Sequence, residues 1–420
     1  MDNPEIWAQI GPMNIDANIL IVGGGLNGPA LALALASGGL SSILVDALPL
    51  ATRRKPAFDG RAYALSLTSV RMLQVLGIWP EVAQEAQPML EIKVSDGKPG
   101  EGAASHFVHF DHNEIAEGPM GHMLEDRFLR RALLDAVKAE ALITQIAPAT
   151  VEAQEISAGH AEISLSDGRK LRGRVLVGCD GRRSGVAQRA GIARTGHDYH
   201  QSGIVCAVSH EKPHNGVAYQ QFMPSGPLAI LPLVGGRSAI VWTETSVRAA
   251  VINGMSDKDF MAELRPRFGD FLGEIKLAGK RFSYPLNLTV ATEFARARLA
   301  LVGDAAHGIH YLAGQGLNLG LRDVAALAEV LLEAARRGED IGNELVLARY
   351  ARWRGVDTAA LTASTDLINK LFSNDSPLLR AARVAGLGLV NAVPAARRDF
   401  IREAAGLTGD MPRLLKGLPI

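Results

Sequence analysis

Gly23, Gly25 and Gly28 stand at G-x-G-x-x-G spacing in Gly23-Gly24-Gly25-Leu26-Asn27-Gly28. The first glycine of such a pattern allows a tight turn, the second lets a pyrophosphate approach the main chain, and the third lets the next helix pack on the preceding strand. Free amides at the start of that helix would face the phosphates. Asp46 follows at the place from which a carboxylate accepts hydrogen bonds from ribose hydroxyls. These residues address a dinucleotide, and alone they do not separate NAD from FAD. Two later segments bear on that choice. Leu301-Val302-Gly303-Asp304-Ala305-Ala306-His307 puts an aspartate at the end of an apolar run, and Gly314-Gln315-Gly316-Leu317-Asn318 opens a long helical pattern. A reduced flavin carries negative charge around its pyrimidine end, which amides at a helix N-terminus stabilise. Asp304 could bind a ribityl hydroxyl. A plain glycine turn and a plain helix cap are the structural alternatives for the two glycine-rich stretches.

The surrounding pattern supplies the elements that would hold these residues. Ile19, Leu20, Ile21 and Val22 predict a strand entering the glycine turn, and Ala30, Leu31, Ala34 and Leu35 recur at helical spacing behind it. Ser42 to Val45 predicts a second strand that ends on Asp46 and closes a βαβ unit. Helices are predicted over 66–77 and 126–139, the latter with Leu129, Leu133 and Val137 on one face. Residues 161–165 and 174–179 read as a hairpin around Asp167-Gly168. From 200 to 290 the texture turns to strands broken by Pro and Gly (Gly203 to Val208, Leu228 to Leu233, Ser238 to Thr243), with a helix near 256–267. Leu299 to Val302 reads as a buried strand, a long Ala/Leu helix spans 317–336, and the end of the chain reads as helical and moderately basic.

Composition narrows the classes. The 420 residues are 47% hydrophobic and 21% charged, which fits a folded protein with a sizeable core. Basic and acidic residues balance at 44 each, and no basic run is interleaved with aromatics, so nucleic acid is set aside as a partner. Cys179 and Cys206 are the only cysteines, which excludes a disulfide scaffold and a four-cysteine metal site and suits a reducing cytoplasm. Both read as buried small apolar residues. The N-terminal stretch does not look like a signal peptide, and no apolar run approaches the roughly 20 residues needed to span a bilayer. A cytoplasmic location is expected, with weak contact at the inner membrane face left open.

With these segments in order, the chain resembles the UbiH-type hydroxylases of ubiquinone biosynthesis, within the group A flavin monooxygenases that share the p-hydroxybenzoate hydroxylase fold. The matching segments are Gly23 to Gly28, Asp59-Gly60-Arg61 with Ala64-Leu65-Ser66, Cys179-Asp180-Gly181, Phe222 to Leu233, Gly303 to Asp323, and Phe372 to Leu379. The likeness runs essentially end to end, and the stretch GQGLNLGLRDVAAL is specific for the ubiquinone subgroup. The fold class expected is α/β: a discontinuous Rossmann-like FAD-binding domain (1–75, 106–190 and 285–370), an inserted sheet-rich substrate domain (76–105 and 191–284) and a C-terminal helical segment (371–420).

The resemblance implies that Arg61 contacts FAD, that Asp180 and Gly181 help hold flavin and nicotinamide nucleotide, that Asp304 binds the ribityl chain, and that Gly316, Leu317 and Asn318 line the flavin ring. It carries Arg127 over as a further cofactor residue. Surface arginines solvated by water are the alternative for Arg61 and Arg127. Two positions depart from the pattern. Ala187 stands where relatives place an arginine after the Asp-Gly pair, and Tyr311 stands where they have proline after His310. His310 and Tyr311 are the candidates beside the reactive flavin.

The implied reaction has NADH or NADPH reduce FAD, dioxygen add at C4a, and one oxygen pass to a polyprenylated phenol. The cofactor does the difficult chemistry, while the protein orients, stabilises charge and excludes water. His307 and His310 could instead suggest a metal pair, but no further ligand cluster follows them, and no metal is expected. The tail, with Leu387, Leu389 and Val390 near Arg397 and Arg398, could rest at a membrane interface or pack on the core. A flavin reductase on the same scaffold, and a non-catalytic FAD-binding subunit of a biosynthetic assembly, are the other functions the motifs allow.

Overall fold

The computed structural model describes residues 15–98, 102–308, 315–372 and 390–420, with Gly386 and Gly388. Its first sheet is built on parallel strands in the order Leu299–Leu301, Lys170–Gly178, Ala17–Val22, Ser42–Val45, Ile143–Ile146. Leu299–Leu301, Ala17–Val22, Ser42–Val45 and the end of Lys170–Gly178 read as near-continuous apolar runs because both faces of the sheet are covered there. The helix Asn27–Ala36 is mostly Ala and Leu and is buried along nearly its whole length against the sheet and the helix Gln315–Arg336. Val151–Ile156, Ala161–Leu165 and Lys170–Gly178 form an antiparallel meander, so the expected hairpin is present with one more strand.

The second sheet runs His307–Gly308, Phe282–Ala291, Arg194–His210, Arg237–Thr245, Gly226–Leu233, Val217–Met223, Glu91–Lys98, Gly102–Asp111. Period-two alternation assigns its faces. Ile204, Cys206, Leu228, Ile230, Ile240 and Trp242 point to a core capped by the helices Ser246–Asn253 and Asp257–Phe268, through Phe260, Leu264 and Phe268. Val205, Ala229, Leu231 and Val241, one step out of phase, face a large cavity instead. A small third sheet joins Ala62–Ser66, Gly121–Glu125 and Gln87–Met89 beside it.

The boundaries expected at 105/106 and 284/285 fall inside the strands Gly102–Asp111 and Phe282–Ala291. The boundary expected at 370/371 likewise falls inside the helix Glu344–Phe372. The end of the chain turns back on the first domain. Leu414 and Leu415 are buried, Arg322 donates to the carbonyls of Gly406 and Thr408, and Trp353 donates to that of Asp410 at 3.0 Å. Among the described residues no helix is long and apolar enough to cross a membrane.

Candidate functional site

The motifs lie far apart in sequence, yet each ends one of four adjacent parallel strands. Gly23 follows Ala17–Val22, Asp46 follows Ser42–Val45, Asp180 follows Lys170–Gly178, and Asp304 follows Leu299–Leu301. Parallel strands put their carboxyl ends on one edge, where open α/β sheets bind ligands. Backbone bonds hold that edge in register: Gly23 N–H to Val45 O (2.8 Å), Cys179 N–H to Val22 O (2.7 Å) and Val302 N–H to Gly178 O (2.9 Å). Gly23, Gly25, Asp46, Arg61, Asp180, Gly181, Asp304, Gly316 and Leu317 all line the same cavity, whose volume is about 1750 Å³.

The three glycines divide the work of the turn. Gly23 has φ +117°, and a Cβ there would lie 2.3 Å from the Cys179 carbonyl oxygen. A Cβ on Gly28 would lie 2.0 Å from the Gly23 carbonyl oxygen, so the third glycine is required by close packing of helix on turn. A Cβ on Gly25 would meet no protein atom within 4 Å. The chain's own packing does not demand glycine there. The open space lies at the start of the helix Asn27–Ala36, where a pyrophosphate would fill it, so the residues fit FAD.

The acids are arranged around that cradle. Asp46 is almost fully buried and accepts from Arg53 Nε (2.6 Å), Arg53 Nη2 (3.0 Å) and the Leu48 amide (3.1 Å). A carboxylate has about four acceptor sites, so one remains for a ribose hydroxyl. Asp180 accepts from Ser184 Oγ and from the Val186 amide at 3.0 Å, which fixes the turn through Gly181 at φ +81°. Asp304 is half-exposed to the cavity and accepts from Arg182 Nε at 3.2 Å, while Arg182 Nη1 donates to Asn287 at 2.9 Å. Arg182 thus ties Asp304 to the second sheet. Ala187 is buried in the first core, and Arg189 of the same short helix lines the cavity.

Arg61 faces the cavity within a charged cluster. Its guanidinium pairs with Asp59 and lies 3.4 Å from buried Asp126, which also holds Arg130 at 2.7 Å and accepts from the Tyr63 hydroxyl at 2.9 Å. Burial, and then the charge of Asp126, push the Tyr63 phenol well above its ordinary range. Arg127 does not line the cavity: it lies 2.8 Å from buried Glu125 and donates to the Pro56 carbonyl. The other Glu125 oxygen takes Arg237 of the second sheet at 2.7 Å.

Asn318 spends its side chain on the protein. Its Oδ1 accepts from the Ser66 amide (2.9 Å) and Ser69 Oγ (2.8 Å), and its Nδ2 donates to the Ala64 carbonyl (2.8 Å). This bridges the Arg61 segment to the first turn of the helix Gln315–Arg336, where Gly316 and Leu317 meet the cavity. His310, Tyr311 and Gly314 lie outside the described residues, as does the side chain of Gln315.

Sequence reasoning missed a buried charged network behind the turn that carries Asp304. Asp323 accepts from the Gly303 amide (2.9 Å), His307 Nε2 (2.5 Å) and Arg354 Nε (2.7 Å), and Arg354 continues to Asp357 at 2.6 Å. Burial alone would raise the Asp323 carboxyl, but His307 and Arg354 outweigh it and hold it below the ordinary value. His307 is therefore engaged away from the cavity. A signal existed: Asp323 shares a helix face with buried Leu319, Ala326 and Leu327, where a lone acid must be paired.

Beyond the cradle, the cavity continues beneath the second sheet. Its far part is lined by Ile92, Val94, Val108 and Phe110 from the edge strands and by Phe400, Ile401 and Ala404 from the helix Pro394–Ala404.

Residues 16–356 match the FAD binding domain family. A ubiquinone hydroxylase, UbiL, of Rhodospirillum rubrum is 43% identical over 96% of this chain and 94% of its own length. The 3-demethoxyubiquinol 3-hydroxylase of Escherichia coli is 35% identical over 94% of this chain and 100% of its own. The p-nitrophenol 4-monooxygenase of Pseudomonas putida superposes with a TM-score of 0.76 over 94% of this chain and 98% of its own at 20% identity, a likeness of fold. With its glycine cradle, its strand-end acids and these relatives, the chain belongs to the ubiquinone-biosynthesis hydroxylase family of FAD-binding proteins.

Proposed function

We propose that the protein is an FAD-dependent monooxygenase that hydroxylates the ring of a polyprenylated phenol in ubiquinone biosynthesis, with NADH or NADPH as reductant. One observation carries the reading: a single cavity runs from the dinucleotide cradle at Gly25 to an apolar chamber at Phe110. A reducing cofactor site and a chamber for a hydrophobic substrate are thereby one space. Bound FAD supplies the redox chemistry, taking up hydride and activating dioxygen. The balance is one NAD(P)H, one proton, one dioxygen and one phenol giving NAD(P)+, water and the hydroxylated ring.

The chain's own residues bind and orient. Gly25 leaves room for the pyrophosphate, Asp46 and Asp304 accept from ribose and ribityl hydroxyls, and Gly316 and Leu317 present the start of the helix Gln315–Arg336 to the flavin ring. Arg61 and Arg182, held by Asp59, Asp126 and Asn287, add positive charge along the cavity wall. The second sheet covers the apolar end of the cavity and shields it from water. Contact with an anionic membrane surface is supported by the exposed Arg398 beside Phe400, which is 52% exposed.

The test is turnover under ¹⁸O-labelled dioxygen with a prenylated phenol and each nicotinamide nucleotide. The product should gain one labelled oxygen per nicotinamide consumed. Reduction of the phenol's side chain or of a quinone, with no label in the product, would overturn the hydroxylase reading.

A further inference from the structure

We propose that the side-chain amide of Gln220 is the hydrogen-bonding contact for the hydroxyl of the aromatic ring and so sets which ring carbon is presented for hydroxylation, an inference that rests on the hydroxylase reading above. Gln220 lies on the strand Val217–Met223, and period two divides that strand between two faces. Tyr219 pairs with Ile230 on the face packed beneath the helices. Gln220, out of phase with it, lines the cavity. Register then places its neighbours. Gln220 pairs with Val94 on one side and Ala229 on the other, Val94 continues to Val108, and Ala229 continues to Val241 and Val205. These side chains line the cavity as well, so one amide stands in a row of valine and alanine.

Nothing in that row can satisfy the amide. Valine and alanine offer no hydrogen bond, and the Gln220 side chain makes none to the other described residues. An amide carries one acceptor oxygen and two N–H donors. A ring that fills this space strips solvent from them, and an amide left without a partner then opposes binding unless the ligand supplies one. A phenolic O–H answers that need: it donates to the amide oxygen and leaves the N–H groups for a second oxygen on the ring. The surround takes the ring's hydrocarbon. Phe222 and Pro227 pair two residues further along on the same face, and the small side chain of Ala229 leaves room beside the amide. Apolar contact is non-directional, so it holds a flat ring yet lets it turn in its own plane. One directed hydrogen bond fixes that rotation. In the sheet, Val217–Met223 lies between the strand of Asn287, tied to Asp304 through Arg182, and the edge strand of Phe110, so the amide stands within the cavity and at neither end.

The experiment takes a prenylated phenol and the hydrocarbon of the same skeleton without its hydroxyl, and measures the binding of each to the FAD-loaded protein by calorimetry with no reductant present. The wild type should hold the phenol at least about tenfold more tightly. Gln220→Leu and Gln220→Met keep much of the volume and remove the amide, so the preference should vanish or invert in both. Affinity for the hydrocarbon, flavin content and melting temperature should stay at the wild-type level or rise, because an amide facing valine and alanine adds nothing to the fold. With NAD(P)H and dioxygen supplied, both variants should release more hydrogen peroxide per nicotinamide oxidised and place the new hydroxyl on more than one ring carbon. A preference for the phenol that survives both substitutions would overturn the contact. Equal losses for phenol and hydrocarbon, or loss of stability or flavin in both variants, would make Gln220 a structural residue instead. Wild-type coupling with a single product isomer in both variants would overturn its orienting role. The two readings fail separately. A phenol preference that the variants abolish, without labelled oxygen in any product, keeps the contact and removes the hydroxylase. Labelled product together with a phenol preference unchanged in both variants does the reverse.

Discussion

The carboxylate of Asp323 accepts a hydrogen bond from the His307 imidazole at 2.5 Å, with both side chains fully shielded from solvent. The same carboxylate holds the Gly303 amide and Arg354, so the turn that presents Asp304 hangs on one buried acid. Replacing Asp323 by Asn removes the negative charge and leaves fully buried Arg354 with Asp357 as its remaining carboxylate partner, so the loss should fall toward the lower end of the about 3–5 kcal/mol typical of a broken buried pair. Urea unfolding of Asp323→Asn should show that loss together with weaker FAD retention. Wild-type stability would refute the role. Because the Asp323 pKa is lowered on folding, its contribution is complete above the ordinary aspartate value of about 3.9 and disappears as pH falls through the depressed one. The stability gap between wild type and variant should be full at pH 6 and narrow below about pH 4. A gap that widens in acid would contradict this sign.

Gly25 and Gly28 share a motif but not a constraint. Gly25→Val puts its side chain into open cavity, so the apoprotein should fold with stability within about 1 kcal/mol of wild type while FAD binding is lost. Gly28→Ala drives a methyl group against the Gly23 carbonyl and should destabilise the apoprotein itself by about 1–3 kcal/mol. Thermal melts of the two apoproteins, paired with flavin fluorescence titration, separate the cases. Full FAD affinity in Gly25→Val would make the motif a plain turn.

Asp304→Ala should weaken FAD binding by about 1.5–3 kcal/mol, the range for a lost hydrogen bond to a charged group. It also frees Arg182 from its acid, leaving Asn287 as a remaining acceptor for that guanidinium. Equilibrium dialysis against FAD measures the loss, and unchanged affinity would remove Asp304 from the cofactor site.

The sequence carried the first domain well because its signals are local. A β-branched run before Gly23, helical spacing after it and an acid at Asp46 need no knowledge of distant contacts. The second sheet was harder. Glu91–Lys98 is interrupted by Lys93, Asp96 and Gly97, and only its pairing with Gly102–Asp111 on one side and Val217–Met223 on the other makes it a strand. The convergence of Gly23, Asp46, Asp180 and Asp304 followed from strand order, which periodicity does not encode. Asp323 is a different case: its apolar helix face shows that it needs a partner, but not which, since Arg354 lies 31 residues away.

Arg127 offers the sharpest contrast between position in sequence and position in space. It sits in the first turn of the amphipathic helix Asp126–Ala139, yet its guanidinium lies against Glu125 and the Pro56 carbonyl and stacks 4.5 Å from the centre of the Phe128 ring. Glu125 is 3% exposed and shares its two oxygens between Arg127 and Arg237, so it joins the helix Asp126–Ala139 to the hairpin before Arg237–Thr245. Arg127→Met keeps the apolar stem over Phe128 and removes one of two charges from a buried acid. Glu125 then retains Arg237 alone, and breaking part of such a buried cluster should cost about 1–3 kcal/mol of stability. FAD affinity should remain within about twofold of wild type, a difference below about 0.5 kcal/mol. Arg61→Met, by contrast, alters the cavity wall and should weaken FAD binding or shift the flavin spectrum. Denaturant melts and flavin titrations of the two variants decide the matter, and a large loss of FAD affinity in Arg127→Met with unchanged stability would return Arg127 to the cofactor site.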